Sequence, residues 1–484
     1  MALLGRLVAA VRGTEYIPGD VQDFLDECAD MGANRLAAYS LYQEYYDGER
    51  GAKLRDRARE YLERQSGVPF CENFAEPVVD ALAERLEVIG FSSSEANEDT
   101  GDDPTGSVVE EWWQRCRMDA MQGVVHTKTL ICGDDFLIVE WHEEEEMPRF
   151  CLQKPHQIKV CYSDDDPGMI EYAVKVWNSR MKGPQNAAGK PVQRMNLYFP
   201  DRVEKWYRLT KGDGQGNGGW EHWSDEGDMA WPVPWVSNDG EPLGIPVVHF
   251  RSKPLGDGPG RSRVKPVVPF QEQLNKYVAD LSDLVDNHAL PQDWISGVVG
   301  EMELKRVAGN VWKLSNPDSK VGRLDATPTD NILDAIEGVL SRLARRSRVP
   351  MHLLTGGTPP SGESLKTSES GLVATAKAAQ IAFGNSWEDA MMLGLRLATT
   401  FGDLELPDDL TLQTNWANPE TRSDEADLNV ATLKKSLGVS RYTLLTELGY
   451  DAEKEAELRQ GEAEMAAEAA GAMLDSGAGF GGGV

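Results

Sequence analysis

The sequence predicts an α+β protein with helices at both ends and a β-rich middle. Three observations carry this reading. Apolar residues recur at helical spacing over residues 20–66, 74–86 and 108–130, and again beyond residue 250. Between residues 132 and 250 the period falls to two, in short runs rich in β-branched and aromatic residues. Residues 363–401 then run without a proline under one apolar stripe. At 484 residues the chain exceeds the ~150 of a typical domain, leaving room for about two to four units.

The first helices rest on Val21, Phe24, Leu25 and Cys28, then on Leu36, Tyr39, Tyr42 and Tyr46. After a break at Pro69, residues 74–86 gather Val78, Val79, Leu82, Ala83 and Leu86 on one face. Residues 92–106 (SSSEANEDTGDDPTG) are polar and acidic and read as a surface loop or a partly disordered link. A short helix over 108–118 carries Trp112 and Trp113 and leads into an apolar stretch at 121–130. The runs DFLIVEWH, RFCLQ, QIKVCY, EYAVKVW, MNLYF and VEKWYRL, bounded by turn-forming residues, predict a mostly antiparallel sheet region. A glycine-rich segment at 212–219 separates two aromatic runs, and PLGIPVVHF closes the region.

In the helical second half, Val267, Phe270, Leu274, Tyr277, Leu281, Leu284 and His288 alternate three and four apart. Pro266 and Pro269 sit where a first helical turn tolerates them. Residues 291–328 lose that period, and ISGVV, NVWKL and VGRLD suggest an insertion of short strands. Helical period returns at Ile332, Ile336, Val339, Leu340 and Leu343, and Pro350 ends it. Beyond a breaker loop at 355–362, a stripe runs through Leu365, Leu372, Ala376, Ala379, Phe383, Trp387, Met391, Leu395 and Ala398. At 1.5 Å per residue that helix would be ~60 Å long, enough to span something. A strand, LTLQTNW, precedes two helices opened by Ser and closed by Gly, then an acidic, Ala-rich helical tail decaying into Gly.

Composition narrows the function. Lys and Arg total 49 against 79 Asp and Glu, a net charge of −30. That balance argues against gripping nucleic acid by neutralising phosphates, but leaves room for a protein past which DNA slides without sticking. The six cysteines (Cys28, Cys71, Cys116, Cys132, Cys151, Cys161) form no C-x-x-C pair, which reads as buried thiols in a reducing compartment. The start, MALLGRLVAAVRG, is interrupted by Arg6 and Arg12 and shows no signal-peptide cleavage site. No window approaches the ~20 apolar residues of a membrane helix. The expectation is a soluble intracellular protein with no membrane contact and no cofactor.

The chemical motifs fail on spacing. Gly183 to Gly189 followed by Lys190 is one residue too long for a phosphate loop, and Pro191 replaces the hydroxyl. Gly214, Gly216 and Gly219 satisfy G-x-G-x-x-G, but Trp220 and Trp223 follow where a helix is needed, so a hairpin tip is the simpler reading. His142 precedes four Glu with no second His at i+4, and the seven His show no metal-ligand spacing. Trp206, Trp220, Trp223, Trp231 and Trp235 interleave with Glu204, Glu221, Asp225, Glu226 and Asp228. They form either a glycan platform with paired carboxylates or aromatic pairs across a hairpin with an acidic rim; nothing fixes two carboxylates for the former. Two basic groups interrupt the acidic chain: Arg261, Arg263 and Lys265, and then Arg342, Arg345, Arg346 and Arg348. Arg342, Arg345 and Arg346 share a face opposite Ile336 and Leu340, where they complement the helix dipole, pair between subunits, or touch a nucleic-acid backbone.

The succession of parts resembles the portal proteins of tailed bacteriophages, in the branch without a fused protease. SGESLKTSESGLVATAKAAQIAFGNSWEDAM is similar to that family's junction of tunnel loop and long helix. NWANPETRSDEADLNVATLKKSLGVSRYTLLTELGYDAEKEAE is similar to its W-x-x-P segment with two short helices and a Leu-Gly ending. The resemblance covers about residues 20–465. It implies a portal fold with an N-terminal helical and β-rich wing at 1–262, stem helices at 263–290 and 329–349, and a clip at 291–328. A tunnel loop and long wing helix at 350–402 and a crown with an acidic tail at 403–484 complete it.

The same resemblance implies a non-enzymatic ring, usually of twelve subunits, at one capsid vertex, through which double-stranded DNA is packaged and ejected without sequence specificity. The implied partners are further copies of the chain, the terminase large subunit, the head-to-tail adaptor, the major capsid protein and the scaffold. The implied location is the virion, with the host cytoplasm during assembly. Gly356, Gly357, Thr358, Pro359, Pro360, Ser361 and Gly362 would form the tunnel loop, and Arg342, Arg345, Arg346 and Arg348 the basic residues of stem or channel; no metal is implied. Two rivals stand beside this: another phage structural component, such as an adaptor or scaffold, and a glycan-acting hydrolase relying on Glu204 and Glu221.

Overall fold

The computed structural model describes residues 19–56, 59–60, 63, 67, 70–96, 103–166, 168–180, 189–210, 216, 218–225, 230–254, 258–288, 292–297, 317–325, 328–356, 362–407, 409–420 and 432–436. Two units emerge, one from residues 1–40, 79–263 and 360–484, the other from 41–78 and 264–359.

The first half opens with helices α1 (Gly19–Ala29), α2 (Ala33–Tyr46) and α3 (Ala75–Ala83), strand β1 (Val88–Ser93), and helices α4 (Pro104–Arg115) and α5 (Met118–Cys132). Strands β2 (Asp134–His142), β3 (Met147–Leu152), β4 (Ile158–Tyr162), β5 (Ile170–Arg180), β6 (Pro191–Tyr198), β7 (Arg202–Leu209), β8 (Glu221–His222), β9 (Val233–Pro234) and β10 (Val247–Arg251) follow. Every pairing among them is antiparallel, where the sequence predicted a mostly antiparallel region. They make a three-stranded sheet, β10-β2-β3, and a six-stranded sheet, β4-β5-β6-β7-β8 with β9 also on β7.

Alternation along the strands dictates the layers. On one face of the larger sheet, Val174, Val176, Met195, Leu197 and Trp206 pack under Val21, Leu25 and Cys28 of α1. On its other face, Ala173, Tyr198 and Val203 meet Phe136, Ile138 and Val247 of the smaller sheet. The reverse face of the smaller sheet carries Phe250, which meets Phe383 at 6.3 Å and Trp387 at 4.8 Å between ring centroids. Both aromatics belong to the long helix α9 (Gly362–Phe401) of 40 residues. Among the predicted stripe residues, Leu372, Ala376, Phe383, Trp387, Met391, Leu395 and Ala398 are buried. Leu365 and Ala379 are only half-buried, while Ala390, Leu393 and Leu397 are buried as well. The C-terminal half of the helix is thus enclosed rather than striped, because β2, β3, β10 and the strand β13 (Leu412–Trp416) all pack on it.

Several expectations needed correction. The polar loop expected at 92–106 starts later and ends sooner: Val88–Ser93 is a strand paired antiparallel with β13, and Asp103 caps α4 by accepting from the Gly106 N–H. That strand escaped notice because its partner lies more than 300 residues away and only Val88 and Phe91 are apolar and buried within it. Residues 47–55 are not helical, although 20–66 read as helices. The expected C-terminal helices lie outside the described residues, save the helical stretch 432–436. The cysteines are free, but only Cys28 and Cys132 are buried.

The second unit contains α6 (Val268–His288), strands β11 (Gln292–Ser296) and β12 (Lys320–Leu324), α7 (Asp330–Ser347) and a five-residue helix, α8 (Met351–Thr355). The first long helix starts at Val268 rather than 263, since Val264 and Val267 are buried in the turns that precede it. Strands β11 and β12 pair as a ribbon; VGRLD supplies most of β12, whereas β11 starts three residues before ISGVV, and residues 298–299 and NVWKL lie outside the described residues. Residues 41–78 fold here too, because α6 reaches them with polar side chains. The Gln271 amide donates to the Glu72 carbonyl at 2.7 Å and accepts from the Phe74 N–H, and Asn275 donates to the Arg50 carbonyl at 2.9 Å. Ala52, Leu54, Phe70, Val278 and Ile336 fill the space between.

One buried group makes stability depend on pH. Asp135 on β2 is fully buried beside Lys128 and Cys132, with neither carboxylate oxygen in a well-formed hydrogen bond. Burial holds its carboxyl up at about 8 against an ordinary 3.8, with the Phe136 N–H and Lys128 pulling down and Asp134 pushing up. The folded state therefore keeps a proton that the unfolded chain gives up, so this contribution to stability is full below pH 3.8 and is lost as pH rises to about 8. Asp135→Asn is neutral throughout and should remove that slope. Calorimetric melting temperatures of the wild type should fall relative to the variant between about pH 5 and 8; parallel curves would contradict this assignment.

Candidate functional site

The arginine cluster sits where the periodicity placed it. On α7, Val339, Leu340, Leu343, Ala344 and Ser347 are buried, and Arg342, Arg345 and Arg346 project from the exposed side. Arg348 closes the helix in the left-handed conformation, with φ 59° and its N–H on the Ala344 carbonyl. Among the described residues no carboxylate pairs with any of the four, and Arg345 makes one bond, to the Ser341 carbonyl at 3.2 Å. The exposed residues of the first half of α7 include Asp330, Asp334 and Glu337 instead. Charge thus changes sign along the helix in the sense that complements its dipole.

The Gly/Pro loop is shorter than expected. Residues 354 and 355 finish helix α8, which Pro350 opens and which packs on α7. Leu354 is buried, and the Thr355 hydroxyl bonds back to the Met351 carbonyl at 3.0 Å. Gly356 ends the turn at φ 64°, a left-handed conformation that glycine adopts without steric cost, and donates to the His352 carbonyl. Pro350 therefore ends one helix only to start another, which a single proline cannot signal. Gly357, Thr358, Pro359, Pro360 and Ser361 lie outside the described residues, and Gly362 begins α9. Helix α8, which Gly356 closes, packs on α7, the helix that carries the arginine cluster.

In the Trp- and acid-rich middle, Glu204 and Glu221 do not form a carboxylate pair, and Glu226 and Asp228 lie outside the described residues. Tyr207 pairs across the sheet with Glu221 and donates its hydroxyl to that carboxylate, so both lie on one face. Glu204, three residues before Tyr207, projects to the other face with Trp206, and is buried against Arg202 at 2.9 Å. Burial raises its carboxyl, and the Arg202 hydrogen bond offsets part of that. Trp206 and Trp220 are core residues, Trp206 meets Trp231 edge-on at 4.9 Å, and His222 stacks on Trp231. The aromatic-packing reading of this region holds. Gly216 bridges to Thr210 as in a hairpin, Gly214 is outside the described residues, and β8 rather than a helix follows. His142 begins an exposed turn of four glutamates. Among the described residues no three His, Cys, Asp or Glu could hold a metal.

Two comparisons with known proteins bear on the whole chain. The family described as "Phage portal protein, SPP1 Gp6-like" matches residues 25–469. The chain belongs to this family of phage portal proteins. It is 23% identical to the portal protein of Mycobacterium phage D29 over 421 residues, covering 82% of this chain and 79% of that protein. It is 22% identical to the portal protein of Mycobacterium phage L5 over 500 aligned positions, covering 96% and 93%. Portal proteins are structural components of the phage capsid, so the chain is not an enzyme, and the hydrolase reading falls with the separation of Glu204 and Glu221. Family membership also sets aside the adaptor and scaffold readings. No helix among the described residues is long and apolar enough to cross a membrane.

What the sequence did not single out is an open cleft between the two sheets of the first unit, lined in part by Lys175, Trp177, Arg194 and Asn196. The signal was present: Lys-x-Trp and Arg-x-Asn alternate on adjacent strands, on the face shared with Ala173 and Tyr198.

The two parts of the candidate site should respond differently to substitution. Gly356→Ala places a side chain at a left-handed φ and should destabilise the protein by about 1 kcal/mol. The triple change of Arg342, Arg345 and Arg346 to Ala, all exposed and unpaired, should stay within about 0.5 kcal/mol of wild type in denaturant unfolding. A large loss from the arginine variant would mean that those side chains are structural.

Proposed function

We propose that copies of the chain, twelve in the usual arrangement, close into a ring at one capsid vertex and form the channel for DNA packaging and ejection. The family match over residues 25–469 carries this reading. In it, residues 1–262 are the wing, α6 and α7 the stem, and the β11–β12 ribbon part of a clip that meets terminase and, later, the head-to-tail adaptor. Residues 350–402 supply the tunnel loop and long helix, and 403–484 the crown. The major capsid protein and scaffold would surround the ring in the assembling head, in the host cytoplasm.

Physical arguments favour such a role. Twelve copies at −30 would carry −360, a field that repels DNA on average and discourages sticking. A loop of Gly, Thr, Pro and Ser from 356 to 362 offers small uncharged surface to a passing duplex, with proline limiting its freedom. The arginine end of α7, adjoining Gly356, would give that wall a local phosphate contact or an ion pair to the next subunit.

Mass is the decisive measurement. Twelve chains of 53.4 kDa make about 641 kDa, and light scattering under assembly conditions should report it, with negative-stain images showing a ring around a hole. Solitary molecules in both solution and virion would end the ring reading. Replacing residues 358–361 with Gly-Ser should impair genome packaging or retention while leaving the ring intact; normal packaging would remove the loop from the channel.

A further inference from the structure

Between the two sheets of the first unit, the shared core of Phe136, Ile138, Ala173, Tyr198 and Val203 gives way at one end to a cleft of about 580 Å³. Its walls include the indoles of Trp141, Trp177 and Trp235 and the ring of Phe401, which is about half exposed. A volume of that size suits a compact ligand or a few residues of peptide.

The polar groups inside are incompletely used. Lys175, half-buried, rests its ammonium 5.1 Å from the Trp177 ring and pairs with no carboxylate among the described residues. The Arg194 guanidinium is clamped between Trp177 and Trp223, at 5.0 and 4.2 Å, and one of its terminal nitrogens reaches both oxygens of Asp225 at 3.3 Å. Its buried Nε–H nevertheless has no acceptor. Asn196, two residues along β6 on the same face, bonds to the Tyr198 hydroxyl at 3.3 Å through one amide atom. The other amide atom is buried and unpartnered, whichever way the amide is turned. Buried polar atoms left over in this way call for a partner. Lys205, by contrast, is committed to Asp225 at 2.9 Å.

We infer that this cleft is a docking site for a peptide segment of a protein partner, one that presents a single Asp or Glu carboxylate beside an apolar or aromatic side chain. A carboxylate accepts from an ammonium and from a guanidinium N–H together, and such charge-assisted bonds are the strong ones. The indole faces take the neighbouring apolar side chain, while Asn196 can meet a backbone amide. The lining sets Lys175, Arg194 and Lys205 against Glu140, Glu143 and Asp225, and of these cations Lys175 has no ion pair among the described residues. Glu140 and Glu143, also in the lining, oppose further negative charge on the same segment, so one flanked carboxylate fits better than an acidic run. The inference concerns the first unit alone and is independent of ring closure.

The full-length protein can be titrated with N-acetyl-aspartyl-phenylalanine amide and with its asparaginyl analogue, followed by indole fluorescence and calorimetry. The aspartyl probe should saturate, and the asparaginyl probe should bind about tenfold more weakly. Lys175→Met, which keeps the aliphatic stem, should weaken the aspartyl probe about tenfold and leave the asparaginyl probe unchanged; Lys175→Gln serves if the methionine variant melts early. Absence of saturable binding of the aspartyl probe, equal affinity of the two probes, or indifference to both Lys175 variants would each overturn the assignment.

Discussion

The first unit depends on the seating of one helix. Forty residues long, α9 lays Phe383 and Trp387 against Phe250 of the small sheet and Trp113 of α4. His126 locks the contact from the other side. Its Nδ1 faces the Leu86 carbonyl at 2.9 Å, its Nε2 accepts from the Trp387 indole N–H at 3.0 Å, and its ring stacks on Phe383. Burial pulls the imidazole down to about 4, so it stays neutral and can donate at one nitrogen while accepting at the other. Close approach is possible where Gly394 meets Pro148; a side-chain carbon there would lie 3.2 Å from that ring.

From that seat the remote parts of the chain are held. Thr414 on β13 donates its N–H to Glu388 and its hydroxyl to the Gly384 carbonyl, both on α9, and β13 in turn carries β1. Asp134, at the start of β2, accepts from His249, from the Tyr39 hydroxyl and from the Gly260 N–H, at 2.9, 2.6 and 2.7 Å. Segments far apart in the sequence thus converge on one helix and one sheet. A long helix with these duties is a core element, and that explains why its C-terminal half is buried on several sides instead of along a stripe.

Charge is distributed with equal economy. The chain is strongly acidic, yet Arg342, Arg345 and Arg346, with no carboxylate partner among the described residues, cluster at the C-terminal end of α7, and Lys175 and Arg194 lie against the Trp177 ring in the cleft. In the first case a helix terminus stabilises the cluster in water; in the second, aromatic faces hold the cations while part of their hydrogen-bonding capacity stays open.

Local pattern determined much of this protein. Period two named every long strand from β2 to β7, the alternation of three and four named α6 and α7, and the absence of proline delimited α9 to within one residue at its start. Those features are legible because each follows from the chemistry of near neighbours along the chain. The arginine face on α7 was legible for the same reason. Tertiary structure alone decided that Val88–Ser93 is a strand, that residues 41–78 join α6 and α7, and that Glu204 and Glu221 turn to opposite faces. It also decided that Lys175, Arg194 and Asn196 line one cleft. Each of these depends on which distant segment supplies the hydrogen-bonding or packing partner, and that partner's distance along the chain leaves no trace in the local spacing of residues.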